Sequence, residues 1–191
     1  PMLEDGRCDT SYLENGLEEL MSSVPFEKPI PIICKTTAPP SVYAKLQEKY
    51  PNVVYSPEFL TAANHIADYG AAKFFVIGGD PLWCERAREV IRKGVSLPDK
   101  QFIYTDIKTA SMFKYMMNSF MSMKVTFMND FYELCQAEGI EWRTMKKLAS
   151  YDERIGQTHM DVPGPDGQFG YGGACFPKDV AAIITEAVDL G

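Results

Sequence analysis

The chain has no basic run, no long apolar run and no paired cysteine spacing, and each absence removes a class of protein. Its 19 Lys and Arg stand against 26 Asp and Glu, a formal charge of -7. A domain that grips a phosphate backbone concentrates cations on one face, so nucleic acid is not the expected partner. The acidity still allows a small anionic ligand, which needs only a few placed donors. No apolar stretch approaches the roughly 20 residues of a membrane span, so no membrane partner is expected. Cys8, Cys34, Cys84, Cys135 and Cys175 are odd in number, which favours a reducing compartment and a cytoplasmic location over a disulfide framework. His65 and His159 stand alone, no Cys/His/Asp cluster has metal-ligand spacing, and no metal is expected.

What remains is an ordinary globular composition: 191 residues, 46% hydrophobic, 24% charged and 12% aromatic, enough for a proper core. The opening Pro1-Met2-Leu3-Glu4-Asp5-Gly6 has the look of mid-domain loop, so a piece of something longer is expected. Residues 12 to 24 show helical spacing, with Ser11 as a candidate cap. Short apolar runs at Pro31–Cys34, Val53–Tyr55, Lys73–Gly79 and Phe102–Tyr104 read as strands. Helical patterns lie between them at Val42–Tyr50 and Leu82–Lys93. Strands alternating with helices predict crossover units and a mostly parallel, covered sheet over residues 1–106.

Residues 107–191 read differently. From Ile107 to Ala137 there is no proline or glycine, and Phe113, Met117, Phe120, Phe127, Phe131 and Leu134 fall along one broad side. That predicts one helix of about 30 residues, ended by Gly139. A helix over 140–150, a Pro/Gly-rich loop over 161–173 and a helix over 177–190 complete an all-α region.

The chemistry concentrates in Pro163–Asp179. Five glycines fall within ten residues, then Cys175, then Pro177 opening a helix. Bare glycine backbone can approach an anion closely. The helix start and Lys178 both favour a thiolate at Cys175, and Asp179 lies one turn on, as a nucleophile with an acid–base neighbour requires. Lys114 and Asn118 are four apart on the long helix, where an amine and an amide together could hold an oxyanion; an exposed polar stripe is the competing reading. Glu58, in Ser56-Pro57-Glu58-Phe59-Leu60, and the hydroxyls of Lys35-Thr36-Thr37 each follow a strand, at the sheet edge where α/β proteins bind ligands.

Taken in series, Lys35-Thr36-Thr37-Ala38-Pro39, Ser56–Leu60, Lys114 with Asn118, Asp152-Glu153-Arg154-Ile155-Gly156 and Phe169–Asp179 resemble the UDP-glucose/GDP-mannose dehydrogenase family. The resemblance implies a partial Rossmann-type sheet at 1–106, followed at 107–191 by a helical dimerisation domain with one long central helix. It implies NAD as cofactor and a nucleotide-sugar substrate, by default UDP-glucose, oxidised from alcohol to carboxylate in two hydride transfers. It also implies the roles. Cys175 would carry a thiohemiacetal and then a thioester; Glu58 would be acid–base for the hydrolytic water; Lys114 and Asn118 would hold the oxyanion; Asp179 would assist Cys175. Thr37 would lie near the nicotinamide or the water, and Lys178 would contact NAD. Phe59, Leu60, Gly164, Gly167, Gln168 and Gly172 would line the sugar nucleotide, and Arg154 would reach a substrate in the partner of a homodimer built on the long helix.

The family often places a second glutamate where this chain has Ala62, follows its hydroxyl pair with Val or Ile rather than Ala38, and opens with a Gly-x-Gly-x-x-Gly turn that has no counterpart here. The resemblance therefore implies a fragment beginning near the fourth strand of the NAD domain and ending before a carboxy-terminal domain. Two other readings remain: a non-catalytic dimerisation module of such an enzyme, and a cofactor-independent thiol hydrolase using Cys175 and Glu58.

Overall fold

A computed structural model describes residues 1–23, 30–60, 64–94 and 100–191; Ala62 lies outside them. In chain order the elements are α1 (Ser11–Ser23), β1 (Ile32–Cys34), α2 (Pro40–Lys49), β2 (Val53–Tyr55), α3 (His65–Ala71), β3 (Phe74–Gly78), α4 (Pro81–Gly94), β4 (Gln101–Thr105), α5 (Ile107–Ala137), α6 (Trp142–Ala149) and α7 (Phe176–Leu190). The alternation expected from the sequence is present. The addition is α3, a seven-residue helix that buries no side chain and so leaves no apolar period to read.

The strands lie in the order β1-β2-β3-β4. β1 runs parallel to β2 and β3 parallel to β4, as expected. β2 and β3 instead meet at one antiparallel pair, Tyr55 with Gly78, so the sheet is not parallel throughout. The chain divides into two compact units, residues 1–115 with 182–191 (unit one) and residues 116–181 (unit two).

Unit one is a sheet covered on both sides. Alternate residues of β2 point to opposite faces, so Val53 and Tyr55 join one core while Val54 joins the other. The first core gathers Leu17, Tyr43, Leu46, Val76, Ile107 and Ala110; the second gathers Ile77, Cys84, Ala87 and Ile91. Burying each such Val, Leu or Ile contributes about 1.5–3 kcal/mol. Tyr43 stacks on Tyr55 with ring centroids 4.4 Å apart. Gly78 ends β3 where no side chain fits, since a Cβ there would lie 2.4 Å from the Ala110 Cβ and 2.8 Å from the Asp106 carbonyl. Asp106 starts α5 by accepting from the Thr109 backbone N–H at 2.9 Å and its hydroxyl at 2.5 Å. Those bonds hold the Asp106 carboxyl below the usual carboxylate range.

Unit two is helical. Met128 and Cys135 of α5 pack with Trp142, Met160 and Val162. The Trp142 Nε1–H donates to the Met160 carbonyl at 3.1 Å, which satisfies a buried indole and ties α6 to the following loop. Along the outside of α5, Met116, Phe120, Met123, Phe127, Phe131 and Leu134 are all exposed, at spacings of three and four. Phe113, which shares the expected broad side, is instead partly buried against the first core of unit one. The single apolar side read from the sequence therefore has two environments.

Candidate functional site

In unit one the site-bearing loops follow β1 and β2. The Thr36–Ala38 loop is pinned through its carbonyls. Thr36 accepts from the Tyr43 hydroxyl at 2.5 Å, Thr37 from the Cys8 thiol at 3.7 Å and Ala38 from the Ser111 hydroxyl at 2.6 Å. The Thr36 side chain is exposed and Thr37 half-buried. On the next strand, Ser56 is fully buried and its backbone N–H donates to the Cys34 carbonyl at 2.9 Å, so the turn leading to Glu58 is held rigidly.

Glu58 has two cations around it. The Lys35 Nζ lies 3.5 Å from its Oε1 and donates to the Ser56 Oγ at 3.3 Å. The Lys114 Nζ donates to the Glu58 carbonyl at 2.6 Å and sits 5.1 Å above the Phe59 ring. Phe59 in turn meets Phe113 edge-on at 5.5 Å. Burial pushes the Lys35 ammonium below its ordinary range, and Glu58 opposes that shift. The Glu58 side chain keeps 37% of its surface exposed, so water reaches its carboxylate. Leu60, at the end of this loop, is half-buried.

In unit two the glycine loop leads to Cys175. The Gly164 N–H donates to the Gln168 carbonyl and the Gly167 N–H to the Gly164 carbonyl, both at 2.8 Å, which closes a tight turn. Gly167, Gly170 and Gly173 have φ of 76°, 81° and 75°, a conformation that a side chain would strain. A Cβ on Gly172 would lie 2.8 Å from Asp166 Oδ2. The Gly170 N–H donates to Asn129 Oδ1 at 3.0 Å, which anchors the loop to α5.

Cys175 is exposed and caps α7, its carbonyl accepting from the Asp179 N–H at 2.9 Å. One turn on, Asp179 is 1% exposed. Its Oδ2 accepts from the Asn118 amide at 2.5 Å and its Oδ1 pairs with the Lys178 ammonium. A buried carboxylate is tolerated only with such partners. Arg154 holds its own loop carboxylate, Asp152, at 2.9 and 2.5 Å, and its side chain is otherwise exposed.

The structure thus groups the sequence candidates in two sets: Glu58, Phe59 and Lys114 in unit one, and Asn118, Cys175, Lys178 and Asp179 in unit two. Three contributors escaped the sequence reading as site residues. Lys35 reaches Glu58 from the loop after the neighbouring strand β1, a pairing that only the sheet creates. Asn129 holds the glycine loop from a helix that reads as amphipathic. His159 is the one described non-glycine residue with positive φ, 61°; its ring packs 5.5 Å from Phe176 and its Nδ1 is buried without a hydrogen-bond partner. Among the described residues, no three His, Cys, Asp or Glu side chains gather closely enough to hold a metal ion. No described helix is long and apolar enough to cross a membrane.

Similarity to known proteins defines the class. A solved UDP-glucose dehydrogenase from Pyrobaculum islandicum superimposes with a TM-score of 0.80 at 25% identity, over 100% of this chain and 45% of that one. Residues 108–191 match the central domain of the UDP-glucose/GDP-mannose dehydrogenase family. Among curated relatives, the UDP-glucose 6-dehydrogenase of Rickettsia felis is 30% identical over 189 residues, 96% of this chain and 41% of the relative. That of Rhizobium meliloti is 32% identical over 196 residues, 97% of this chain and 43% of the relative. The chain spans about two fifths of the length of these relatives.

Proposed function

We propose that this chain carries the covalent nucleophile and oxyanion-binding groups of an NAD-dependent nucleotide-sugar 6-dehydrogenase of the cytoplasm, with UDP-glucose as the default substrate. The observation that carries the reading is Cys175: an exposed thiol at the start of α7, behind a glycine loop and one turn from the buried Asp179–Asn118 pair. The names of the relatives point to the same substrate class. Residues 1–106 are read as part of an NAD-binding domain and 107–191 as the helical central domain.

NAD fits the unit-one loops chemically. Thr36, Thr37 and Glu58 are polar groups following strands β1 and β2, the edge at which open α/β sheets take ligands. Thr37 and Lys178 are the residues assigned to hold it; when bound, it accepts one hydride at each oxidation. The chain's own groups do the rest. The substrate alcohol gives its hydroxyl proton to water, loses a hydride from carbon and becomes an aldehyde. The Cys175 thiolate adds to the aldehyde carbon, forming a C–S bond, and the carbonyl electron pair moves to oxygen. Lys114 and Asn118 stabilise that negative oxygen as it develops. Loss of the second hydride leaves a thioester on Cys175. Glu58, open to water, takes a proton from the attacking water; the C–S bond then breaks and the carboxylate leaves. Asp179 positions the first turn of α7 and the nearby amide. Phe59, Leu60, Gly164, Gly167, Gln168 and Gly172 line the sugar nucleotide, the glycine backbone offering N–H groups to its diphosphate. Arg154 reaches the substrate of a second copy.

A homodimer through α5 belongs to the same proposal. The exposed Met116–Leu134 stripe has the apolar chemistry of a face that a second copy would cover. The deciding experiment compares parent and Cys175→Ser enzyme supplied with NAD and UDP-glucose, following NADH absorbance and the sugar product. The variant is expected to make no carboxylate. Carboxylate at the parent rate would overturn the covalent role.

A further inference from the structure

α6 places Arg143, Lys146 and Lys147 on one face, with Ser150 a turn further, the spacing i, i+3, i+4, i+7 of a single helix side. This face forms one wall of a cleft of about 470 Å³; Gln157, Met160 and Asp161 form the other. The two walls are tied together by the Trp142 Nε1–H bond to the Met160 carbonyl, 3.1 Å, and by the ion pair between Lys146 and Asp161. Met160 is buried and gives the cleft an apolar floor.

Charge singles the cleft out. Unit two contains six cations, Lys124, Arg143, Lys146, Lys147, Arg154 and Lys178, and three of them stand on this one short helix. Lys124 donates to the Ile155 carbonyl, Arg154 holds Asp152, Lys178 holds Asp179 and Lys146 holds Asp161. Arg143 and Lys147 have no such partner among the described residues, and both line the cleft. In a chain of net charge -7, the cleft keeps two uncompensated positive charges after Asp161 offsets Lys146.

Two unpaired cations one turn apart stand about 6 Å from each other at Cβ, a separation suited to two linked anionic groups. A guanidinium fork beside an ammonium favours phosphate oxygens in particular. The volume falls in the range of small-molecule sites. We propose that this cleft binds a small diphosphate-bearing anion, with Arg143 and Lys147 as its primary contacts and the Gln157 amide as a neutral one.

Trp142, buried behind the cleft and bonded to the carbonyl of its lining residue Met160, supplies the readout. In a Trp83→Phe background it is the sole tryptophan of the chain. Titration with inorganic pyrophosphate should change its fluorescence saturably, and calorimetry with the same ligand covers a silent fluorophore. The Arg143→Gln/Lys147→Gln double variant, which alters exposed side chains, should weaken binding at least tenfold with an unchanged circular dichroism spectrum. Raising NaCl should also weaken it. A parallel titration with ADP reads the extent of the site. Tighter binding than pyrophosphate extends it to the nucleoside, and equal binding confines it to the diphosphate. The proposal is overturned if neither signal saturates, if the double variant binds as the parent does, or if NaCl at matched ionic strength reproduces the change.

Discussion

Cys34 and Cys84 of unit one contrast sharply with Cys175 of unit two. In unit one, Cys34 and Cys84 face opposite cores of the sheet, and burial pushes both thiols up to about 11. In unit two, Cys175 ends a loop of left-handed glycines and lies exposed at a helix start. The same side chain is a small core hydrophobe in one setting and a presented nucleophile in the other. What separates them is backbone. A strand and a helix packed into the covered sheet leave no route to solvent, whereas a glycine loop ending at a helix start leaves the Cys175 sulfur open.

Alkylation gives the largest expected effect and the most direct way to break the contrast. Iodoacetamide should label Cys175 in the native chain, with Cys34 and Cys84 at least about 10³-fold slower, because they react only through opening of a packed core. Mass spectrometry of peptides after timed quenching reads this. Equal rates would dissolve the distinction. Next in size is Tyr43→Ala, which removes a fully buried ring, its stack on Tyr55 and its bond to the Thr36 carbonyl. Urea unfolding should show a loss of about 4 kcal/mol.

Asn118→Ala sharpens the unit-two side. It takes a donor from buried Asp179 while Lys178 remains, and should cost about 2 kcal/mol by the same measurement. The smallest effect is a pH dependence. Burial, then the nearby Lys124 charge, hold the His159 imidazole below its ordinary value of 6.5. The unfolded chain therefore takes up this proton first, so stability present above pH 6.5 declines as pH falls through the window below it. Thermal midpoints from pH 7.5 to 5.5 should show this decline, reduced in His159→Gln.

Elements with a clean apolar period are legible from residue order alone. The apolar runs at β1, β2 and β3 and the proline- and glycine-free stretch of α5 lie where their patterns put them. α3 is not legible in this way, because a helix that buries nothing has no apolar period. Nor is the antiparallel contact of β2 and β3, since strand patterns report burial on two faces and not direction. Residue types and spacing single out Cys175 and Asp179 as site candidates, whereas Glu58, Lys114 and Asn118 become candidates only through the family resemblance. The partners of those groups leave no such mark: Lys35 and Asn129 are drawn in by sheet pairing and helix packing between residues far apart in sequence.

By itself the sequence determined the helix and strand periods, the glycine loop with its terminal cysteine, and the series of motifs that resembles a dehydrogenase family. Those are properties of local order and of residue types in series. Only the tertiary structure decided which cysteines are sealed and which is open, that Asp179 is buried between an amide and an ammonium, and that two unpaired cations share the α6 cleft. Each of these depends on which distant side chains approach, and burial, pairing and charge compensation exist only once the chain has folded.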